Sequence, residues 1–452
     1  MKKESLLHDY CAKYAAGPPW TLQAGSLEGI DQVVVIPAYA EKDHLFTTLA
    51  SLAANSDEQL GKTVVICVVN NKEHAPASDK DNNRQTIDIL NVLINRKPFG
   101  EVRETEDLVS AIRKILEKPV RIGYIDASTP GLEIPEGTGG VGMARKIGMD
   151  AALRILKNCV NEPRLMISLD ADTIVRPDYL TSVRIAMSSR KARTGIVSYE
   201  HKMPSGDEIW KRAICLYEIF LRYWVLGLKY ARSPFAFHSI GSTIVTVADA
   251  YLAVRGMNRR EAGEDFYFLN KLAKIGPIRR IHETIVYPSA RVSARVPFGT
   301  GAAVGKISGD ESSGHDLYDP RVFFILKKWI DLMQQSFILS EKQILDMACD
   351  IDPGLESFLK HRGFLSVWPK IRRNVKDQKT CERQFHGWFD GFETLKLVNY
   401  LTREFYPRVS MICALEDILK MSDMKYPGSF PRRDILKTED AVSILHFLRN
   451  QT

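Results

Sequence analysis

Leu165 to Thr173 reads LMISLDADT, an apolar run that ends in two carboxylates, Asp170 and Asp172, one alanine apart. In a strand, residues i and i+2 point to the same face, so the pair is expected to project together from the strand's C-terminal edge. Two like charges that close repel unless a cation or a hydrogen-bonded polyol sits between them. Ligands of open α/β sheets bind outside the carboxyl ends of the strands. The stretch therefore reads as a site for a metal ion and a nucleotide diphosphate. A plainer reading stands beside it: either aspartate can cap a helix opened by Pro177.

Working outward, the flanking sequence supports a parallel sheet. Gln32 to Ala38 (QVVVIPA) is a β-branched run halted by Pro37, and Lys62 to Asn70 (KTVVICVVN) is a second one. Runs apolar on both faces, alternating with helices such as His44 to Ala54, indicate strands covered on both sides. Asn71 to Arg84 reads as a polar surface loop, followed by helices at Gln85 to Asn95 and Glu106 to Lys118 and a strand at Val120 to Asp126. A glycine-rich loop leads into a helix at Met143 to Val160, and an aromatic helix is expected from Asp207 to Tyr230. Beyond Ile307 to Pro320 the pattern is helical. The division is 1–31 as a lead-in, 32–306 as an α/β domain, 307–320 as a linker and 321–452 as an all-α region.

The 452 residues are 45% hydrophobic and 26% charged, ordinary for a globular chain. No apolar run approaches the roughly 20 residues of a membrane span, and the amino terminus lacks the apolar core of a secretory signal. The seven scattered cysteines contain no CxxC pair, which suits reduced thiols in the cytoplasm. A net charge of +7 suits a polyanionic small ligand or peripheral attraction to the inner face of an anionic membrane; it is too diffuse to point to nucleic acid.

Four further constellations follow the same order as the strands. Ile36-Pro37-Ala38-Tyr39-Ala40-Glu41 is a strand-to-helix turn suited to gripping a nucleoside, or a plain turn. Asn70-Asn71 can hydrogen-bond a nucleobase edge, although Asn is also a good turn residue. In Gly139 to Gly148 (GGVGMARKIG) the glycines permit close approach of a ligand. Arg145 and Lys146 there fall in a first helical turn, where a cation opposes the dipole unless an anion is present. In Gly263 to Phe268 (GEDFYF), adjacent acids among aromatics can be desolvated toward the pKa of a general base, or can open a helix as an N-cap pair.

IPAYAE, VVNN, GVGMARK, LDADT and GED, spread over residues 32–270, resemble the family 2 glycosyltransferases of the GT-A fold. SPFAFHSIGST and YPSARVSARVPFGTG resemble their bacterial branch of unassigned substrate. The resemblance implies a Rossmann-like, mostly parallel sheet with helices on both faces. It implies Asp172 as the main carboxylate on Mn²⁺ or Mg²⁺, with Asp170 on the ribose or a metal-bound water. Pro37, Tyr39, Glu41 and Asn70 would frame the nucleoside, Arg145 would reach base or phosphate, and Asp265, or else Glu264, would be the base. His238 and His282 are candidate third metal ligands, each with a structural role as the alternative. Arg291 and Arg295 read as a diphosphate lid or as surface arginines. The implied activity is metal-dependent, inverting transfer of a single sugar from a nucleotide-diphosphate sugar to a hydroxyl acceptor. A sugar nucleotidyltransferase and a non-catalytic nucleotide-sugar-binding protein are the rival readings. The chain departs from the family at Ala40, where Asn is usual, and at Asn70, where Asp is frequent. It also lacks the Q-x-x-R-W motif of processive members.

Overall fold

The computed structural model describes residues 2–98, 104–157, 159, 162–189, 191–204, 206–291, 316–373, 375–431 and 436–452. The strands are β1 (Leu22–Ala24), β2 (Gln32–Ala38), β3 (Thr63–Asn70), β4 (Arg121–Ala127), β5 (Leu165–Ser168), β6 (Ile174–Val175), β7 (Thr194–Tyr199), β8 (Ile244–Val247) and β9 (Ile278–Tyr287). They form one sheet in the order β1-β4-β3-β2-β5-β8-β7-β9-β6. Six strands run one way, with β1, β6 and β8 reversed. Every residue of β2 and β3 is buried, as their unbroken apolar runs require.

Before the strands lies α1 (Lys2–Lys13), and between them lie α2 (Lys42–Ala53), α3 (Asp57–Leu60), α4 (Ala77–Ile94), α5 (Glu106–Leu116), α6 (Val141–Leu156), α7 (Tyr179–Met187), α8 (Glu208–Tyr230), α9 (Ala248–Ala253) and α10 (Glu264–Ala273). The C-terminal region continues with α11 (Pro320–Met333), α12 (Glu341–Ile351), α13 (Pro353–His361), α14 (Phe364–Arg372), α15 (Gln378–Trp388), α16 (Gly391–Glu404), α17 (Met411–Met421) and α18 (Thr438–Gln451). An α/β sheet region followed by an all-α region is the class the sequence indicated.

The chain divides into two compact units, residues 1–202 with 239–289, and residues 203–238 with 290–452. The aromatic helix α8 thus belongs with the C-terminal helices, where Tyr223 is fully buried, and not with the sheet. In that unit Trp329 packs edge-on against Phe385 at 5.6 Å, and Phe364 stacks on Trp368 at 5.9 Å. Most of the expected linker, and Arg295, lie outside the described residues.

Three local expectations are corrected. Pro37 does not halt β2, which continues to Ala38 in register with β3. Leu169 donates its N–H to Val35 O, so Val35, and by the two-residue period Pro37, face the β5 side. β5 has ended there, and the missing proline N–H forfeits no ladder bond. The polar stretch after β3 is partly helix, since α4 starts at Ala77, where Asn83 is buried and bonded inward. Arg145 and Lys146 stand in the second turn of α6, which begins at Val141.

Candidate active site

The aspartate pair is not in the strand. β5 stops at Ser168, and Asp170 to Thr173 form a turn closed by Thr173 N–H to Asp170 O at 3.2 Å. Strand alternation therefore does not set the two carboxylates. The turn is pinned instead by its neighbours: Thr48 on α2 donates to Ala171 O at 2.8 Å, and Thr173 shares a 2.9 Å hydroxyl bond with Ser242. Neither aspartate caps a helix, because α7 starts at Tyr179 behind Asp178.

Asp170 is the centre of what the fold brings together. Its Oδ1 accepts from Arg145 Nη2, and its Oδ2 accepts from Ser242 Oγ. The other arm of the same guanidinium, Nη1, donates to Glu264 Oε1. Arg145 and Glu264 are almost fully buried, whereas the Asp170 side chain is 33% exposed. A fork with fixed donor directions can join two carboxylates in this way; a lysine cannot. Gly241 makes room, since a β-carbon there would overlap the guanidinium.

Asp265 completes the cluster. Glu264 and Asp265 are the first two residues of α10, behind Gly263 with φ 71°, so neither is the N-cap. Asp265 Oδ1 accepts from the Phe266 N–H at 2.7 Å. The carboxyl retains some open surface, yet dense surroundings make desolvation the largest influence on it. That, with repulsion from Glu264 and Asp170, outweighs the pull of Arg145 and pushes its pKa up to about 7. Three carboxylates thus share one guanidinium.

The glycines before α6 serve the chain itself. Gly142 donates its N–H to Arg260 O at 3.2 Å, and β-carbons at Gly139 or Gly142 would run into the backbone of residues 258–260. This close approach is backbone to backbone, whereas a β-carbon at Gly140 would meet open space. Lys146 turns away from the acids: it pairs with Asp150 at 3.1 Å and donates to the Tyr10 hydroxyl at 2.9 Å.

The expected nucleoside frame lies at the ends of β2 and β3. Tyr39 donates its hydroxyl to Asp79 at 2.5 Å, and Glu41, at the N-cap position of α2, is buried. Ala40 is held at φ 50°, with its N–H bonded to Asn83 Oδ1 at 2.9 Å. A positive φ is the conformation Asn tolerates and Ala does not favour. Asn70 gives its amide protons to Ala38 O and Val68 O, both at 3.1 Å, and Asn71 bonds Ser128 O at 3.2 Å and Asn83 at 2.8 Å. The asparagine pair ties strand ends together.

His282 sits in the bulge of β9, 72% exposed beside Glu283. The aspartate turn leads into β6, which pairs antiparallel with β9 through Ile174 opposite Tyr287 and Val175 opposite Val286, and His282 lies further along β9 on the side leading away from the turn. His238 belongs to the second unit. Among the described residues, no group of three or more His, Cys, Asp or Glu is assembled for a metal. Ser242, Gly241 and Thr48 were not singled out by their own identity in the sequence. Ser242 was findable only through register: β5 and β8 are antiparallel with Leu165 opposite Val247, and continuing that pairing sets Ser242 opposite Asp170.

No protein-family model and no curated protein sequence matches the chain. It is similar to solved structures of Staphylococcus aureus TarS 1–349 in complex with UDP-GlcNAc, with 12% identity, TM-score 0.35, and 93% of this chain and 90% of that chain covered. It is also similar to the mannosyltransferase PcManGT from Pyrobaculum calidifontis in complex with GDP-Man and Mn²⁺, with 13% identity, TM-score 0.35, and coverage of 100% and 91%. Mycobacterium tuberculosis glucosyl-3-phosphoglycerate synthase matches at 12% identity and TM-score 0.31, covering 69% of this chain and 86% of that one. At such identities and scores, the chemistry has to be argued from this chain's own residues.

Proposed function

We propose that the chain transfers one sugar from a nucleotide-diphosphate sugar to a hydroxyl acceptor, with inversion, and that Asp265 is the base. The observation that carries this is the cluster itself: three carboxylates around one guanidinium, one of them titrating near 7, beside a turn that follows the carboxyl end of β5. A structural cluster has no use for surplus negative charge; a site that receives a cation and a proton has.

The donor set suits a hard divalent ion in one way. Both Asp170 oxygens already accept hydrogen bonds, from Arg145 and Ser242. Asp172, two residues along the same turn, is the carboxylate we assign to Mg²⁺ or Mn²⁺ on the resemblance of LDADT to a D-x-D strand end, in the manner of sites that use one or two carboxylates and substrate phosphates. When bound, the ion supplies neutralisation of charge on the departing diphosphate. The chain's own residues do the rest. The Asp170–Arg145–Glu264 bridge holds the aspartate turn, α6 and α10 in one geometry, so Asp265 is aimed at a fixed point. Asp265 Oδ2 takes the acceptor hydroxyl's proton while Oδ1 stays on the Phe266 N–H. Pro37, Tyr39 and Glu41 frame the nucleoside, with Asn70 holding the strand ends that carry them.

Thermal-shift titration with a panel of nucleotide-sugars and Mn²⁺ tests the site. The reading expects a metal-dependent rise in Tm that Asp172→Asn loses, and an unchanged rise in that variant removes the metal assignment. Release of pyrophosphate from a nucleoside triphosphate, without nucleoside diphosphate from any sugar donor, would replace transfer by nucleotidyl transfer.

A further inference from the structure

Residues 360–383 carry eight Lys and Arg against Asp377 and Glu382, an excess of six within a chain whose whole net charge is +7. Part of that charge is spent internally. Lys360 pairs with Glu356 at 2.6 Å, and Arg362 pairs with Glu393 at 2.8 Å. Lys370, Arg373, Lys376 and Lys379 are exposed, and among the described residues none of the four makes an ion pair.

Two large apolar side chains are exposed on α14 and on the loop tied to it. Leu365 on α14 is 51% exposed, and Ile338, between α11 and α12, is 80% exposed. Arg372 links them. It donates to Phe337 O at 2.8 Å and to Leu339 O, the carbonyls on either side of Ile338. Leu365 precedes Arg372 by two helical turns, so both lie on one stripe of α14. Burying neither aliphatic while holding one of them rigidly in place is a cost to a free surface and a benefit to an apolar contact. No helix among the described residues is long and apolar enough to cross a membrane.

We propose that this face docks on an anionic bilayer, with Ile338 and Leu365 entering the headgroup–acyl boundary while Lys370, Arg373, Lys376 and Lys379 meet lipid phosphates. Cations that hold a surface against anionic headgroups, next to protruding aliphatics, are the two components of interfacial binding. A nucleic acid would use the cations, but reads through aromatic stacking rather than exposed Leu and Ile.

Co-sedimentation of the full chain with vesicles is the test. At about 0.1 M salt, the protein should bind phosphatidylcholine vesicles containing about one third phosphatidylglycerol and leave pure phosphatidylcholine vesicles unbound. Replacing the four cations together (Lys370→Gln, Arg373→Gln, Lys376→Gln, Lys379→Gln) should lower the partition constant at least about tenfold. Ile338→Ser with Leu365→Ser should lower it several-fold, with Tm and circular dichroism unchanged in both variants. No binding to the anionic vesicles, equal binding to neutral ones, or insensitivity to the Ile338 and Leu365 pair overturns the proposal; the last, with competition by an oligonucleotide, assigns the face to a polyanion. The acid cluster enters none of these readouts.

Discussion

Arg145 and Lys146 are consecutive on α6 and end in two buried ionic clusters of opposite character. Lys146 faces a balanced group: Asp150 takes the Lys146 charge at 3.1 Å, hydroxyls from Tyr10 at 2.5 Å and Tyr251 at 2.7 Å, and the Ala16 N–H at 2.7 Å. Burial lowers the Lys146 pKa, Asp150 opposes that, and Arg259 adds a weaker repulsion from outside the hydrogen-bonded group, in which each donor meets an acceptor. Arg145 faces Asp170 and Glu264 with Asp265 close by, an unbalanced group. The same helix thus carries one cluster that closes on itself and fastens α1 and α9 to α6, and one left wanting positive charge. Balance suits the first to a structural role, and imbalance is what the proposed chemistry of the second would use.

The largest effect should come from the unbalanced side. Asp265→Asn is expected to lower kcat by about 10²–10⁴-fold while nucleotide-sugar binding persists, measured as turnover against donor Kd. Equal losses in both would make Asp265 a binding residue. Next, Arg145→Met strands two carboxylates and should destabilise by about 3–5 kcal/mol in denaturant unfolding. The balanced cluster should yield differently: Lys146→Met with Asp150→Asn removes both charges and keeps an acceptor for the tyrosines but turns an amide NH₂ toward the Ala16 N–H, and should cost about 1–3 kcal/mol, less than Arg145→Met, with unchanged turnover. Loss of turnover in that pair would place the Lys146 cluster in the reacting machinery as well.

The pH profile sharpens the same point. With Asp265 at about 7, the rate should rise about tenfold per pH unit below 7 and level off above it. Stability runs the opposite way. A carboxyl whose folded pKa exceeds its unfolded value contributes fully below the unfolded pKa, and its contribution is lost as pH rises through about 7. Asp265→Asn, which imitates the protonated form, should therefore match the parent in Tm near pH 4 and exceed it above pH 7. Gly241→Ala forces the guanidinium aside and should cost about tenfold in kcat/KM, since a displacement near 1 Å is enough for such losses. The smallest effect belongs to Ala40→Asn: φ 50° suits Asn better, and a gain of about 1 kcal/mol in unfolding free energy is expected.

Much of the fold was legible. Runs such as VVVIPA and TVVICVV could only be strands buried on both faces, and their order with intervening helices implied the parallel half of the sheet. Arg145, Asp170, Glu264 and Asp265 were legible as chemistry-bearing types at strand ends and helix starts. Their mutual contacts were not, because Arg145 lies 119 residues from Glu264 and nothing local specifies which acid a guanidinium meets. The asparagine pair stayed open between a base-facing and a turn role, since its identity reports hydrogen-bonding capacity and not the partner.

What the amino-acid sequence determined alone is periodicity and inventory: which segments bury both faces, which bury a stripe, and which side chains carry charge. These follow from short-range sterics and from the aversion of apolar surface to water, both written along the chain. Only the tertiary structure decided that Ser242 lies opposite Asp170, that Gly139 and Gly142 admit the backbone of residues 258–260, and that Arg145 and Lys146 point into different clusters. Those facts depend on strand register and helix packing, which are set by the sum of many distant contacts and by no residue's own propensity.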